Sequence, residues 1–172
     1  MANHLNDISK IDPQLTLNVL QKWRDSNKQN EKEMDFIVHH ALRTLIKKGN
    51  QNALKMLGVN VMTKLEICNF DAQKTIHLPS NLEFKFTVKA EQDGMIVIDY
   101  TLYFQDKLGR LKNKKTFKLK KCTIKNGDSL QITKKHLLKP KMTTRTMHKG
   151  AHELHVHING NLMAKHEFEV RF

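Results

Sequence analysis

Residues 154–161 spell Leu-His-Val-His-Ile-Asn-Gly-Asn, with an apolar side chain at every second position up to an Asn-Gly pair. A period of two is that of a half-buried β-strand, because successive side chains point to opposite faces of a sheet. Asn159-Gly160 is a dipeptide that favours the tight turn of a two-residue hairpin. The stretch therefore predicts a strand, a hairpin turn and a returning strand near the carboxyl end.

The same alternation occurs upstream, between turn-forming groups such as Pro79-Ser80-Asn81 and Asn126-Gly127-Asp128. The runs that show it are 61–67, 82–89, 95–104, 116–124, 130–137, 154–158 and 167–172. About seven short strands at this spacing predict an immunoglobulin-like or fibronectin-like β-sandwich over residues 61–172. The Cys…Trp…Cys pattern of antibody domains is missing, so the predicted sandwich has no disulfide.

The first 60 residues have helical spacing instead. Asp12-Pro13 supplies an N-cap and a proline at the first helical position. A second helix is predicted over 31–48, ended by Gly49, and a short helical turn follows over 52–57. The expected buried face of the second helix comprises Phe36, Ile37, His40, Ala41, Thr44 and Leu45. The fold class predicted is a short all-α HEAT-like repeat segment (1–60) followed by an all-β immunoglobulin-like sandwich (61–172).

The amino-terminal residues continue the helical pattern without a start signal. Ala2, Leu5 and Ile8 lie three apart, as on one helix face, and no capping residue precedes them. Repeat arrays bury such faces between neighbouring repeats. We therefore expect this face to be exposed or covered, which predicts self-association or a partner chain at the amino-terminal helical face.

Composition excludes several classes of protein. No apolar run approaches the roughly 20 residues that a membrane span needs, and residues 1–10 do not resemble a signal peptide. Cys68 and Cys122 do not form a disulfide framework typical of secreted proteins, so both are expected to be reduced thiols. The prediction is a cytoplasmic chain that does not insert into a membrane.

Charge predicts the partner. The chain of 172 residues carries a net charge of +13, of which residues 107–149 contribute 15 basic side chains against one acid, Asp128. Many small basic proteins are merely soluble, and an anionic membrane surface is a weaker alternative. A surface this one-sided attracts polyanions, and Lys and Arg contacts to phosphates supply most of nonspecific DNA affinity. DNA is therefore the predicted partner.

Common catalytic motifs are lacking. The sequence contains no GxSxG, Walker A or GxGxxG pattern. His152-Glu153-Leu154-His155 is one residue too short for the HExxH zinc motif. His155 and His157 should share a strand face, a spacing that can hold a metal, but a polar outer face beside lysine-rich strands is the favoured interpretation. No metal or cofactor is predicted.

Three parts of the sequence contain strings that resemble the AlkC-type alkylpurine DNA glycosylases, and together the strings span essentially the whole chain in order. Residues 2–10 followed by Asp12-Pro13 are similar to a repeat segment of that family. Residues 37–49 with Ala53-Leu54 and Leu57-Gly58 resemble its last repeat, although His39 stands where the family has an arginine-type residue. The strings 139–145, 150–154 and 159–160 resemble the end of its carboxyl-terminal Ig-like domain.

The resemblance implies DNA repair by base excision, the hydrolysis of the N-glycosidic bond of alkylated bases such as 3-methyladenine in duplex DNA. It implies that Asp7 is the catalytic aspartate. A carboxylate suits this chemistry because departure of the base leaves oxocarbenium character on the sugar. The residues expected to bind DNA are Arg43, Lys47, Lys48, Lys112, Lys114, Lys115 and Arg145.

Two functions remain open at this point. The chain departs from the family pattern because the upstream HEAT-like repeats are missing, so we expect it to be inactive without them. The first function is the carboxyl-terminal, DNA-engaging part of an alkylation-repair glycosylase. The second is a non-enzymatic DNA-binding or protein-binding Ig-like module.

Overall fold

The computed structural model describes residues 1–142 and 145–172, with the side chains of Met142 and Arg145 left out of the description. The chain forms two compact units, Met1–Val61 and Met62–Phe172. Each unit has its own hydrophobic core. Within the described residues, no helix is both long and apolar enough to cross a lipid bilayer.

The first unit is helical. Its helices are α1 (Ala2–Ile8), α2 (Pro13–Asp25), α3 (Glu31–Ala41), α4 (Arg43–Lys47) and α5 (Gln51–Met56). Asp12 caps α2 as predicted, since its side chain accepts a hydrogen bond from the Leu15 N–H at 2.9 Å. Asn30 and Asn50 cap α3 and α5 in the same way. The core of the unit is formed by Leu5, Leu17, Leu20, Met34, Val38, Ala41, Leu42, Leu45 and Ala53.

The helix predicted over 31–48 is two helices, so this prediction is wrong in detail. The break falls at Leu42, whose backbone leaves the helical conformation (φ −97°, ψ 3°). Two residues after the break, the backbone N–H of Thr44 donates a hydrogen bond to Oδ1 of Asn6 in α1 at 3.1 Å. The predicted buried face is also partly wrong, because Phe36 is 61% exposed while Val38 and Leu42 are fully buried.

Helix α1 begins without a side-chain cap, as predicted. The expected exposed face is wrong for Leu5, which is only 7% exposed. The physical reason is that α1 packs against α3 and places Leu5 in the unit's own core. Ala2 and Ile8 are half-buried. Self-association through this face stays a prediction with less exposed apolar surface to support it.

The second unit is a β-sandwich. Its strands are β1 (Leu65–Ala72), β2 (Thr75–His77), β3 (Ser80–Ala90), β4 (Gly94–Gln105), β5 (Leu111–Ile124), β6 (Ser129–Leu138), β7 (Lys141–Met142), β8 (Arg145–Thr146), β9 (Gly150–Ile158) and β10 (Asn161–Arg171). One sheet has the order β1-β3-β6, and the other has the order β2-β10-β9-β4-β5. Strands β7 and β8 form a separate short pair. Apart from β2, which runs parallel to β10, neighbouring strands are antiparallel.

Alternating residues of both sheets meet in one core. Phe84 and Phe86 of β3 lie there with Tyr100 and Leu102 of β4, all at most 2% exposed. The predicted Asn159-Gly160 turn is confirmed, because both residues have positive φ (51° and 79°) and Asn161 pairs with Ile158. Cys68 and Cys122 are free, half-buried thiols on β1 and β5.

Strand bounds differ from prediction where the alternation fades. Strand β5 begins at Leu111 rather than residue 116, and β10 begins at Asn161 rather than residue 167. The first five residues of β5 are exposed. Because neither face of that segment is buried, its sequence has no period of two to detect.

Candidate nucleic-acid interface

The lysines of β5 lie on an edge strand. Lys112, Lys114 and Lys115 are all exposed, and β5 has only β4 as a hydrogen-bonded neighbour in its sheet. Lys114 pairs with Tyr103 and Lys115 with Leu102, so these two lysines start on opposite faces of the strand. In the part of the chain that the structure describes, no ion pair joins any of the three to a carboxylate.

A groove of about 750 Å³ opens beside the first half of β5, and we call it the basic groove. It is lined by Phe104, Lys107, Asn113, Lys114, Lys115, Thr146 and His148. Among the residues that the structure describes, the lining holds three ammonium groups and no carboxylate. Such a groove suits an anion such as a phosphodiester, since each lysine offers a charge and several N–H donors. Lys112 is not part of the lining.

The turn that carries Lys107 is held by Asp106. One Asp106 carboxylate oxygen accepts from the backbone N–H groups of Leu108 (2.8 Å) and Arg110 (3.0 Å), and the other accepts from Arg110 Nε at 3.0 Å. The Arg110 N–H donor holds the pKa of Asp106 below its ordinary value, and the guanidinium and the Leu108 N–H act in the same direction. Arg110 is thus neutralised locally, while Lys107 is left to face the basic groove.

A buried histidine that the sequence analysis did not identify, His152, contacts the backbone of His148 in the groove lining. The outer, polar face was predicted for His155 and His157 alone, and His152, for which no position was predicted, is fully buried. Its Nε2 lies 2.9 Å from the carbonyl oxygen of His148, and its Nδ1 lies 3.3 Å from the Gln105 N–H. Burial lowers the pKa of His152, so the ring is neutral. The only sequence signal is its place in the alternation of β9, two residues before buried Leu154.

His155 and His157 do share the outer face of β9, as predicted, with ring centroids 6.2 Å apart. His155 Nε2 contacts a Glu153 carboxylate oxygen at 2.8 Å, and Lys165 contacts the other oxygen at 2.8 Å. Tyr103 lies against His155 with a centroid distance of 4.4 Å. His155 therefore belongs to a polar network on the sheet surface with Glu153 and Lys165, and His157 lies beside it.

Arg145 lies in β8 by its backbone, but its side chain falls outside the described residues. Thr143 and Thr144, which carried part of the family resemblance, fall outside the described residues altogether. The predicted role of Arg145 in binding DNA is therefore left as a prediction.

The predicted carboxylate lies in the helical unit. Asp7 is near the end of α1, its side chain is 66% exposed, and it contacts Lys10 Nζ at 2.6 Å. The Lys10 hydrogen bond and charge hold the pKa of Asp7 below its ordinary value, and the charges of Arg43 and His4 lower it further. The structure therefore brings Asp7 and Arg43 within electrostatic range of each other and keeps the carboxylate ionised at neutral pH.

The other predicted DNA contacts of this unit lie on and after α4. Arg43 is the first residue of α4, Lys47 is one turn further along it, and Lys48 follows its end. All three side chains are exposed. Residues i and i+4 share a helix face, so Arg43 and Lys47 present their charges on the same side. The helical unit thus presents a second set of exposed cations, of which Arg43 acts electrostatically on Asp7.

Comparisons with known proteins identify the family and the fold of the chain. Residues 66–172 match the family described as "Uncharacterised protein YhaZ, C-terminal Ig-like domain". The uncharacterized protein YhaZ of Bacillus subtilis (strain 168) is 33% identical over 171 residues, which are 99% of this chain and 46% of YhaZ. The chain is also similar to Pseudomonas fluorescens alkylpurine DNA glycosylase AlkC, solved bound to DNA containing an abasic site analog, with a TM-score of 0.89 and 32% identity.

The AlkC match covers 99% of this chain and 47% of AlkC. The chain thus spans just under half the length of both relatives. A β-glucosidase from Listeria innocua matches 63% of the chain at 18% identity with a TM-score of 0.52, which shows a shared fold alone. The predicted Ig-like fold of the second unit and the resemblance to AlkC-type proteins are both confirmed, and the chain belongs to the YhaZ C-terminal Ig-like domain family.

Proposed function

We propose that this chain is the DNA-engaging carboxyl-terminal part of an AlkC-type glycosylase, which excises alkylated bases such as 3-methyladenine in DNA alkylation repair. The observation that carries the proposal is the similarity to DNA-bound AlkC over 99% of the chain at 32% identity. In this proposal residues 1–60 are a HEAT-like repeat segment, and residues 61–172 are the Ig-like domain that follows it. Duplex DNA is the partner.

DNA phosphates are proposed to occupy the basic groove. Lys107, Lys114 and Lys115 line it from the turn and the edge strand, and no described lining residue repels an anion. Arg43, Lys47 and Lys48 supply a second set of contacts from the helical unit, and Arg145 is retained as a candidate. Such contacts fix the position of a protein on the duplex without reading its sequence.

Asp7 is proposed to act on the sugar at the lesion. An alkylated purine is cationic and leaves readily, and its departure places positive charge on the deoxyribose. An ionised carboxylate beside that sugar stabilises the charge and orients or deprotonates the attacking water. The lowered pKa of Asp7 keeps it in the required state at neutral pH. Because Lys10 already contacts the carboxylate, that ion pair has to open before Asp7 reaches the sugar.

Asp7 by itself is a weak catalyst. Its side chain is 66% exposed, and water screens a charge at an exposed site far more than in an enclosed one. We therefore propose that further groups, from the length of the relatives that this chain does not span, are needed to enclose the lesion. The isolated chain is expected to release little or no alkylated base.

The experiment is a chimera in which this chain replaces the matching segment of AlkC. Release of 3-methyladenine from methylated duplex DNA is measured by mass spectrometry for the chimera, for AlkC and for the isolated chain. We expect release by the chimera, none above background by the isolated chain, and a loss of about 100-fold or more in the chimera with Asp7→Asn. Asp12→Asn, a change to another carboxylate of the same unit that remains able to cap α2, is the matched control.

A folded chimera that releases no base while AlkC does contradicts the proposal. It would favour the second candidate, a non-enzymatic DNA-binding or protein-binding Ig-like module. Two observations favour this second candidate: Asp7 is exposed, and the described lining of the basic groove belongs to the β-sandwich alone.

A further inference from the structure

Asn6 is a polar side chain inside the helical core. It is 1% exposed, although the residues on either side of it in sequence are Leu5 of the core and the exposed Asp7. A buried amide is costly unless its hydrogen bonds are satisfied. Asn6 Oδ1 accepts a hydrogen bond from the backbone N–H of Thr44, 38 residues away, at 3.1 Å. The side chain therefore joins α1 to the start of α4.

Helix α4 has no cap of its own. Its N-cap residue is Leu42, which makes no side-chain cap hydrogen bond. The first N–H groups of a helix need acceptors from elsewhere. Asn is among the best capping residues because its oxygen reaches such a donor. Here Asn6 performs this task from a neighbouring helix, and the chain bends at Leu42, where α3 ends and α4 begins.

The two bonded residues are each adjacent to a residue of the proposed site. Asn6 precedes Asp7, and Thr44 follows Arg43. A hydrogen bond between positions 6 and 44 thus sets the distance between positions 7 and 43. The Asn6 end is itself anchored, because the hydroxyl of fully buried Ser9 donates to the Asn6 carbonyl oxygen at 2.7 Å.

We propose that Asn6 is a positioning residue, which holds Arg43 beside Asp7 by capping α4 from α1. The inference rests on the proposed function, in which Arg43 binds a DNA phosphate and Asp7 faces the sugar. A fixed spacing between this cation and this carboxylate places the carboxylate at a defined point along the bound strand. An apolar residue at position 6 would fill the core equally well but would leave the start of α4 without its acceptor.

The test uses the 172-residue chain without DNA, so it does not depend on glycosylase activity. Hydrogen exchange of the Thr44 amide is followed by NMR in the wild type, in Asn6→Ala and in the control Asn3→Ala, which changes an exposed asparagine of the same helix. We expect exchange of the Thr44 amide to be about tenfold faster or more in Asn6→Ala and unchanged in the control. Should Asn6→Ala fail to fold by circular dichroism, Asn6→Leu keeps the branched shape of the side chain while removing the acceptor.

A second readout separates positioning from simple stabilisation. The pKa of Asp7 is measured by NMR titration in the wild type, Arg43→Gln, Asn6→Ala and the double variant. We expect Arg43→Gln to raise the pKa of Asp7 in the wild-type background and to leave it unchanged when residue 6 is alanine. An equal rise in both backgrounds, or a Thr44 amide that is indifferent to residue 6, overturns the proposal. Failure of the AlkC chimera would instead count against the proposed function and leave this result standing.

Discussion

Replacement of Lys112, Lys114 and Lys115 by glutamine is expected to weaken DNA binding and its dependence on salt. Each Lys–phosphate contact contributes about 0.9 to the slope of log K against log salt concentration. Of these three lysines, Lys114 and Lys115 line the basic groove and Lys112 does not. We therefore expect the slope to fall by about 1.8, with about 2.7 as the upper limit if Lys112 also reaches a phosphate. At 0.1 M salt a change of 1.8 corresponds to a loss of affinity of up to about 60-fold.

The assay is fluorescence anisotropy of a labelled duplex from 50 to 300 mM salt. The matched control replaces three exposed lysines outside the basic groove by glutamine, namely Lys64, Lys74 and Lys89. These substitutions remove the same net charge from the same unit. We expect the control to retain most of the wild-type slope. Equal losses in the two triple variants would refute the reasoning, because they would show that net charge matters and the groove does not.

Three further results are expected. Burial lowers the pKa of His152 from 6.5, so as the pH falls below 6.5 the unfolded state takes up a proton before the folded state does, and the free energy of unfolding decreases there. In urea unfolding between pH 7.5 and 5, His152→Gln should lose less of this free energy than the wild type. An equal loss in both would contradict the reasoning. Asn159→Ala should cost about 2–3 kcal/mol in urea unfolding, because it leaves the Val97 N–H without its acceptor and puts alanine at positive φ; a cost under about 0.5 kcal/mol would argue against both effects. Amides in the second half of α1 should exchange slowly because Leu5 is buried, whereas uniform fast exchange over residues 2–8 would indicate that α1 does not pack as described.

Much of the fold was predictable from local patterns. The alternation in residues 154–158 put Leu154, Val156 and Ile158 in the core, and all three are at most 1% exposed. Asp12 acts as a cap because its side chain and the helix start are neighbours in sequence. Such features depend on residues a few positions apart, so the sequence alone contains the information needed to predict them.

What was missed depends on contacts between distant residues. The break at Leu42 is accompanied by a hydrogen bond from the Thr44 N–H to Asn6 Oδ1, and no pattern within 31–48 indicates that bond. His152 is an exception, because its place two residues before Leu154 already puts it on the buried face of β9, opposite to His155. The hypothesis that Asp7 is catalytic rests on the family resemblance, since an exposed aspartate on a short helix carries no local signal of catalysis.

The basic groove lies almost wholly within the predicted basic run, residues 107–149, but its shape was not predicted. The run contains Lys107 of the turn before β5, Lys114 and Lys115 of β5 and His148 of the segment before β9, and the sequence did not indicate that these residues line one groove. Sequence distance hides this arrangement, because the two walls are brought together by the pairing of β4 with both β5 and β9.

The central claim, that the chain engages DNA through the basic groove and the Asp7–Arg43 surface, is tested most directly by hydrogen exchange with and without duplex DNA. On addition of DNA, exchange should slow in peptides from the basic groove, 105–116 and 146–149, and in peptides from the helical unit, 3–10 and 41–48. Exchange in the β1-β3-β6 sheet should not change. Protection confined to the β1-β3-β6 sheet, or no protection at DNA concentrations that saturate binding, would contradict the account.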